Sequence, residues 1–261
     1  MSRLLAALLA ATALSGCATL GGEQREADTT AQAPSRSVDR AARERIGRED
    51  PLTQMAFWAG EYQTFPNDIE AAQKFSEALR RGGRADRAAQ IALESLRRFP
   101  EDRALLTTLG YAQIAANKPQ DALRPLAIVA SAEPRNWRVR SALGAALDQI
   151  GRFQDARLAY QEALAIEPND PRVLTNLGVS YILAGEPAEA EPILRQAASL
   201  PNAPAEARQN LAIALALTGR FAEAEQIQRV DLPPAQAAAN VQYLRGLLSD
   251  GRRWGDLGRG T

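Results

Sequence analysis

The sequence predicts an all-α solenoid of antiparallel helix pairs, and three recurrences carry that prediction. Turn residues Gly83, Asn117, Gly151, Gly185 and Gly219 fall one every 34 residues. Five residues after each comes an alanine, at 88, 122, 156, 190 and 224, and seven before each a small residue: Ser76, Gly110, Gly144, Gly178 and Ala212. A fixed period of this length marks a repeat architecture in which each helical hairpin buries its face against the next. Small residues such as Gly144 and Ala156, where the two helices of a unit cross, let the backbones approach while Leu143, Leu147 and Tyr160 fill the flanks. Gly151 lies between the helices, where the chain must turn left-handed, and Asn117 is the next most tolerant residue there.

The remaining elements follow from the same spacing. Pro119 and Pro187 open second helices, where a missing amide hydrogen costs little. Pro100, Pro134 and Pro168 close them, again 34 apart, with Asn202 at the next such place. Five units result: 69–102, 103–136, 137–170, 171–204 and a fifth, 205–233, cut short by Pro233 and Pro234. Stepping back from Pro100 gives Pro66, with Trp58 in the slot of Tyr160, so 50–66 is expected to be the second helix of an incomplete leading unit. Gln54 departs from the alanine of the other units. After the fifth unit, 234–250 is a capping helix with Val241, Leu244 and Leu248 on one face, and 251–261 is expected to be a disordered tail.

The unit WRVRSALGAALDQIGRFQDARLAYQEALAIEPND, Trp137 to Asp170, resembles the tetratricopeptide repeat at nearly every signature place. That resemblance spans 69 to about 230. It implies a curved stack whose first helices line a groove, with chemistry at the groove being recognition.

Composition narrows function in the same direction. The 261 residues carry 31 basic and 31 acidic side chains, so no global field favours nucleic acid or anionic lipid. Histidine is absent, which removes the usual general base and the commonest metal ligand. A single cysteine, Cys17, allows neither an internal disulfide nor a thiolate cluster. No enzyme, cofactor or metal site is expected, and no nucleic-acid partner. A hydrolase working by carboxylates would need paired acids in a pocket, and the spacing suggests none.

At the amino terminus, Arg3 and the apolar run Leu4 to Leu14 read as an export signal over 1–16. The run falls short of the roughly 20 apolar residues that span a bilayer. Leu14, Ser15, Gly16 and Cys17 resemble the lipobox of bacterial lipoproteins. The resemblance implies cleavage before Cys17, acylation of Cys17 and membrane attachment through those chains, each buried methylene contributing about 0.8 kcal/mol. Ala18 after the cysteine implies outer-membrane sorting, on the periplasmic face. Residues 17–49 then read as a flexible tether that holds the repeats about 30 Å from the lipid, although Val38 to Ile46 has helical character with a poor apolar face.

Residues at the second, fifth, ninth, twelfth and thirteenth places of each unit are expected on the groove. Thr107, Tyr111 and Ile114 come from the second unit, Arg138, Ser141 and Asp148 from the third, Arg172, Thr175, Val179 and Ile182 from the fourth, and Gln209 and Ile213 from the fifth; Asn176 and Asn210 lie beside them. An amphipathic helix or extended peptide fits such a surface. Val179, Ile182 and Ile213 read equally as core against the next unit. Arg138 and Arg172, one period apart, read either as a carboxylate clamp or as solvated charges. The lysines of a chaperone-type carboxylate clamp are absent. Phe57, Trp58, Tyr62 and Phe65 read first as packing on the leading unit, and Trp254 as part of the tail.

RQNLAIALALTGRFAEAE from Arg208 and AQAAANVQYLR from Ala235, together with the lipobox, resemble the TadD-like lipoproteins of Tad/Flp (type IVc) pilus assembly. The resemblance covers about Ile69 to Leu248. It implies a scaffold, pilotin-like for the secretin, whose partner is the secretin or another Tad component. A regulator or scaffold of peptidoglycan enzymes is the alternative expectation.

Overall fold

The computed structural model describes residues 39–249, which form thirteen helices and, among those residues, no strand. Cys17, the export signal and tether up to residue 38, and the tail from residue 250 lie outside the described residues. The helices are α1 Arg40–Ile46, α2 Pro51–Thr64, α3 Ile69–Arg81, α4 Ala85–Leu96, α5 Arg103–Ala115, α6 Pro119–Ala132, α7 Trp137–Gln149, α8 Phe153–Ile166, α9 Pro171–Leu183, α10 Pro187–Ser199, α11 Ala205–Leu217, α12 Phe221–Gln228 and α13 Pro234–Ser249.

First helices α3, α5, α7 and α9 start, and α3, α5, α7, α9 and α11 stop, for reasons written at a 34-residue interval; at the start of α11, Pro204 replaces the capping side chain. Asp68, Asp102, Asn136 and Asp170 cap α3, α5, α7 and α9 by accepting amide hydrogens of the first turn, for example Leu105 N to Asp102 Oδ1 at 2.8 Å. At the other end, Gly83, Asn117, Gly151, Gly185 and Gly219 all have φ between 56° and 83°. The residue after each donates five residues back, as Arg152 N does to Leu147 O at 2.9 Å, which satisfies carbonyls the helix leaves open.

The hairpins close through the small residues. A Cβ built on Gly144 would sit 2.7 Å from the Tyr160 ring, and on Gly110 or Gly178 it would sit 2.5 Å from Leu126 or Leu194. In each case the filling residue lies sixteen positions later on the second helix and is fully buried. The third place of each first helix packs against the preceding unit: Ala71, Leu105, Val139, Val173 and Ala207 are at most 1% exposed.

Both ends keep this register beyond what the spacing of turns shows. Val241 of α13 is the next third place and is 2% exposed, so α13 is the first helix of a sixth unit, and it packs on α11 and α12 as a following unit would. Its outward flank, Gln242, Arg245, Gly246 and Ser249, is polar and exposed, as suits a helix that caps the core of the fifth unit.

At the amino end, the flexible tether expected over 17–49 needs correction, because α1 occupies Arg40–Ile46. Ala42 stands in the small-residue place, Ile46 joins the core of Trp58, Phe75 and Leu79, and Arg43 is buried. The Arg43 guanidinium donates to Glu61 at 2.6 Å, Asp68 at 2.6 Å and Glu70 at 2.7 Å, and lies 5.4 Å from the Trp58 ring centroid. A buried cation needs such partners, since desolvation alone would expel it. Gln54, the residue that breaks the alanine pattern, donates to Glu49 O at 2.6 Å and pins the α1–α2 turn.

Gly144→Ala is expected to lower stability by about 1–3 kcal/mol despite the gain in helix propensity, because the Tyr160 ring cannot retreat. Gly246→Ala, with open space around its Cβ, is expected to raise stability by about 0.5–1 kcal/mol. Thermal and urea unfolding of the two variants check the pair.

Candidate functional site

The groove is built by first helices. From α3 through α5, α7, α9 and α11 to α13, each first helix packs on the one that follows, whereas no second helix is among the packed neighbours of the next second helix. Second helices therefore splay outward and the first helices form the inner, concave layer.

Along that layer the expected residues separate by burial. Arg138, Arg172 and Gln209 are exposed, and Tyr111, Ile114, Asn176, Val179, Asn210 and Ile213 are half-buried, with surface to offer a ligand. Ser141, Thr175 and Ile182 are corrections: all three are buried. Ile182 packs with Ala190, Leu194, Leu211 and Leu215. The Thr175 hydroxyl donates to Pro171 O at 2.6 Å within its own helix. Ser141 Oγ accepts from Asn176 Nδ2 at 3.5 Å, a contact that joins α7 to α9. The physical reason is common to them: in these units the fifth and twelfth places face the neighbouring helix where the stack is tight, and only a large side chain there would reach past it.

The charged residues of the groove do not form a clamp. Arg138 lies over the Trp137 ring, 4.3 Å from its centroid. The Arg172 side chain is 71% exposed with only Asp170 nearby, at 4.0 Å. Towards the amino end, a depression of about 460 Å³ is lined by Lys74, Glu77, Arg80, Arg103, Tyr111 and Glu133 among others. Its charges are largely paired: Arg80 donates twice to Glu77, and Arg103 reaches Glu133 at 3.4 Å. Arg80 also lies 5.5 Å from the Tyr111 ring centroid. Burial holds the Tyr111 pKa above the ordinary phenol value, so the side chain presents a neutral hydrogen-bonding edge.

Asp148, expected on the groove, is instead the centre of a buried polar seam between the third and fourth units. Its carboxylate accepts from Tyr160 Oη at 2.9 Å and Ser180 Oγ at 2.6 Å. Arg157, also buried, donates to Glu186 at 2.8 Å and stacks 3.9 Å from the Tyr181 ring centroid. Sequence spacing shows no sign of this seam, because Asp148 and Arg157 have the composition of solvated residues on helix surfaces. Among the described residues, no group of three or more acidic or other ligating side chains is placed to hold a metal.

A stack of helical hairpins with a concave layer of first helices defines a repeat-type protein-interaction scaffold. Tetratricopeptide-repeat family models match residues 107–171, 147–202 and 205–232. The chain belongs to the tetratricopeptide-repeat family. It is similar to the solved structure of MamA from AMB-1, with 30% identity, a TM-score of 0.50, and coverage of 61% of this chain and 86% of that one. MamA from MSR-1 gives 29% identity and a TM-score of 0.52 over 60% and 89% of the two chains. TTC0263, a thermophilic TPR protein in Thermus thermophilus, shares the fold at 22% identity, with a TM-score of 0.57 over 69% and 98%. No curated protein matches the sequence.

Burial raises the pKa of Asp148 above the ordinary carboxylate value, against the pull of Ser180, Tyr160 and Arg157. A raised folded-state value means the folded protein holds its proton longer than the unfolded chain does. Stability from this group is therefore full below the unfolded value and falls as pH rises through the folded one. Asp148→Asn, which keeps the shape, is expected to flatten that fall, so its stability relative to wild type rises from about pH 4.5 to about pH 7.5. Asp148→Ala leaves the Tyr160 hydroxyl buried without its acceptor and is expected to lose about 1–3 kcal/mol. Urea unfolding at the two pH values measures both.

Proposed function

We propose that this chain is a periplasmic scaffold, anchored to the outer membrane through acyl chains on Cys17, that captures a segment of a partner protein during assembly of a Tad/Flp pilus secretion system. The reading is pilotin-like: the captured segment belongs to the secretin or to another component of that system. One observation carries the recognition part, a continuous inner layer of first helices whose exposed and half-buried places differ from unit to unit. Repeated scaffolding with varied side chains at those places is a surface for selecting one partner, and proteins of this repeat family are typically non-enzymatic scaffolds.

The anchored form gives the mechanism its economy. Acyl chains hold the stack at one membrane surface, and a partner segment emerging there meets it at high effective concentration. Weak contacts along Tyr111, Arg138, Asn176, Val179, Asn210 and Ile213 are then sufficient, because tethering replaces affinity that free diffusion would require. Support for the anchor is the sequence Leu14, Ser15, Gly16 and Cys17 after a short apolar run.

Cys17→Ala is expected to abolish labelling by a palmitate analogue and to move the protein out of the outer-membrane fraction. Deleting the gene is expected to reduce secretin multimers in that fraction. Secretin multimers of unchanged amount and location would sink the pilotin role, and a cross-link from Arg138 or Ile213 to a cell-wall enzyme would replace it with the peptidoglycan reading.

A further inference from the structure

The joint between the third and fourth units departs from the joints on either side of it. Where the second unit meets the third, Leu126, Ile114 and Ala146 pack in one apolar core. Where the fourth meets the fifth, Leu194, Ile182 and Ala214 stand in the same three places and do the same. Between them, 34 residues from either set, the three places hold Tyr160, Asp148 and Ser180. Apolar contact gives way to two hydrogen bonds on one carboxylate, 2.9 Å from Tyr160 Oη and 2.6 Å from Ser180 Oγ. All three members change together and all three change back one unit later, so a polar set interrupts an apolar series.

The set is buried but not balanced. Asp148 is 9% exposed, Tyr160 1% and Ser180 not at all. The charged and titratable groups that face Asp148 are Tyr160 and Arg157, both from α8; the fourth unit brings Ser180, while its Tyr181 and Glu186 face Arg157. Charges elsewhere on the helices around α7 are engaged or solvated. Arg140 pairs with Glu162, Arg152 with Asp155, Arg103 with Glu133 and Lys118 with Asp86, and Asp121, Arg124 and Arg172 are exposed. Arg157 bonds Glu186, and its Nε and Nη2 are buried with no acceptor. An ionised Asp148 therefore holds two neutral donors and no bonded cation, beside a guanidinium with unmet donors, and buried charges in that condition are costly.

We infer that the joint between the third and fourth units is a proton-controlled joint of the stack, closed while Asp148 carries a proton and opened when its carboxylate is ionised. Ser180 and Glu186, which cover Asp148 and Arg157, both belong to the fourth unit, so one movement of that unit admits water to the carboxylate and to the unmet donors together. The packing to be separated is slight, since α8 lies against α9 less extensively than α4 against α5, α6 against α7 or α10 against α11. Burial holds the Asp148 carboxyl above the ordinary carboxylate range, which puts the closed form on the acid side and the open form on the alkaline side. At the flanking joints, Ile114 with Ala146 and Ile182 with Ala214 give a change of pH nothing to act on.

The chain from Ala18 to Thr261 contains no cysteine, so paired spin labels report on chosen sites alone. Gln120→Cys with Ala188→Cys spans the joint, and Arg87→Cys with Gln154→Cys stays on its amino side; all four residues are exposed. Double electron–electron resonance is expected to show the first distance lengthening by about 3 Å or more, the room one water needs, between about pH 4.5 and about pH 8. The second distance is expected to stay constant. Asp148→Asn, which stays neutral and keeps the shape of the seam, is expected to hold the acid-side distance at both pH values. The triple variant Tyr160→Leu, Asp148→Ile, Ser180→Ala, which restores the apolar set, is expected to do the same. Equal cross-joint distances at both pH values in the wild type, or a lengthening that persists in Asp148→Asn, overturn the inference. Movement of both label pairs together means a general loosening and overturns it as well.

Discussion

The stack depends on one steric constraint: a first helix must bring its backbone close enough to its partner helix that a leucine or tyrosine fits over a missing side chain. At Gly144 that partner is Tyr160, whose ring lies where a Cβ would be. Close approach lets the third-place residue on the opposite flank reach the preceding unit, so the contact within a hairpin also sets the contact between hairpins. Curvature is a further result, because second helices pack their apolar faces inside their own unit and on the next first helix, and meet each other through side-chain ion pairs. A concave face is therefore what this packing produces, rather than a separately specified feature.

The third and fourth units modify the scheme. Of Leu126, Tyr160 and Leu194, which fill the glycine slots, Tyr160 alone has a polar tip, and a buried hydroxyl requires a partner. Asp148 supplies it and binds Ser180 of the next unit in the same stroke. The cross-unit ion pairs of the second helices point the same way. Lys118 pairs with Asp86, Glu186 with Arg157, and Arg220 with Glu191, so the sign at the following unit reverses at the third-to-fourth junction and returns at the next. A unit stacked out of order would set Arg157 against Arg220. Like charges beside the buried Arg157 oppose that arrangement, so the pairs contribute order more than stability.

The sequence discloses the periodic part of this molecule and conceals the part that departs from period. The 34-residue spacing of Gly83, Asn117 and Gly151 and the small residues before them suffice for hairpins, turns and slots, because local geometry repeats wherever those residues do. Arg43 is invisible to that argument: an arginine on a short helix reads as solvated until Glu61, Asp68 and Glu70 are brought to it from later segments. Ser141, Thr175 and Ile182 lie on the inward side of their helices, as spacing predicts, yet burial depends on how tightly the neighbour sits, which spacing does not encode. The same limit hides the register of α13. Two prolines and a short α12 disguise it, and only the packing of Val241 shows that the count of 34 continues.

Function follows the same division. Periodic places make the scaffold, and a ligand can distinguish only the places that vary. Tyr111, Arg138, Val179 and Ile213 share an inward side but present an aromatic edge, a stacked cation and two aliphatic surfaces in turn. A scaffold of identical units would bind many segments equally, since specificity is a difference between affinities.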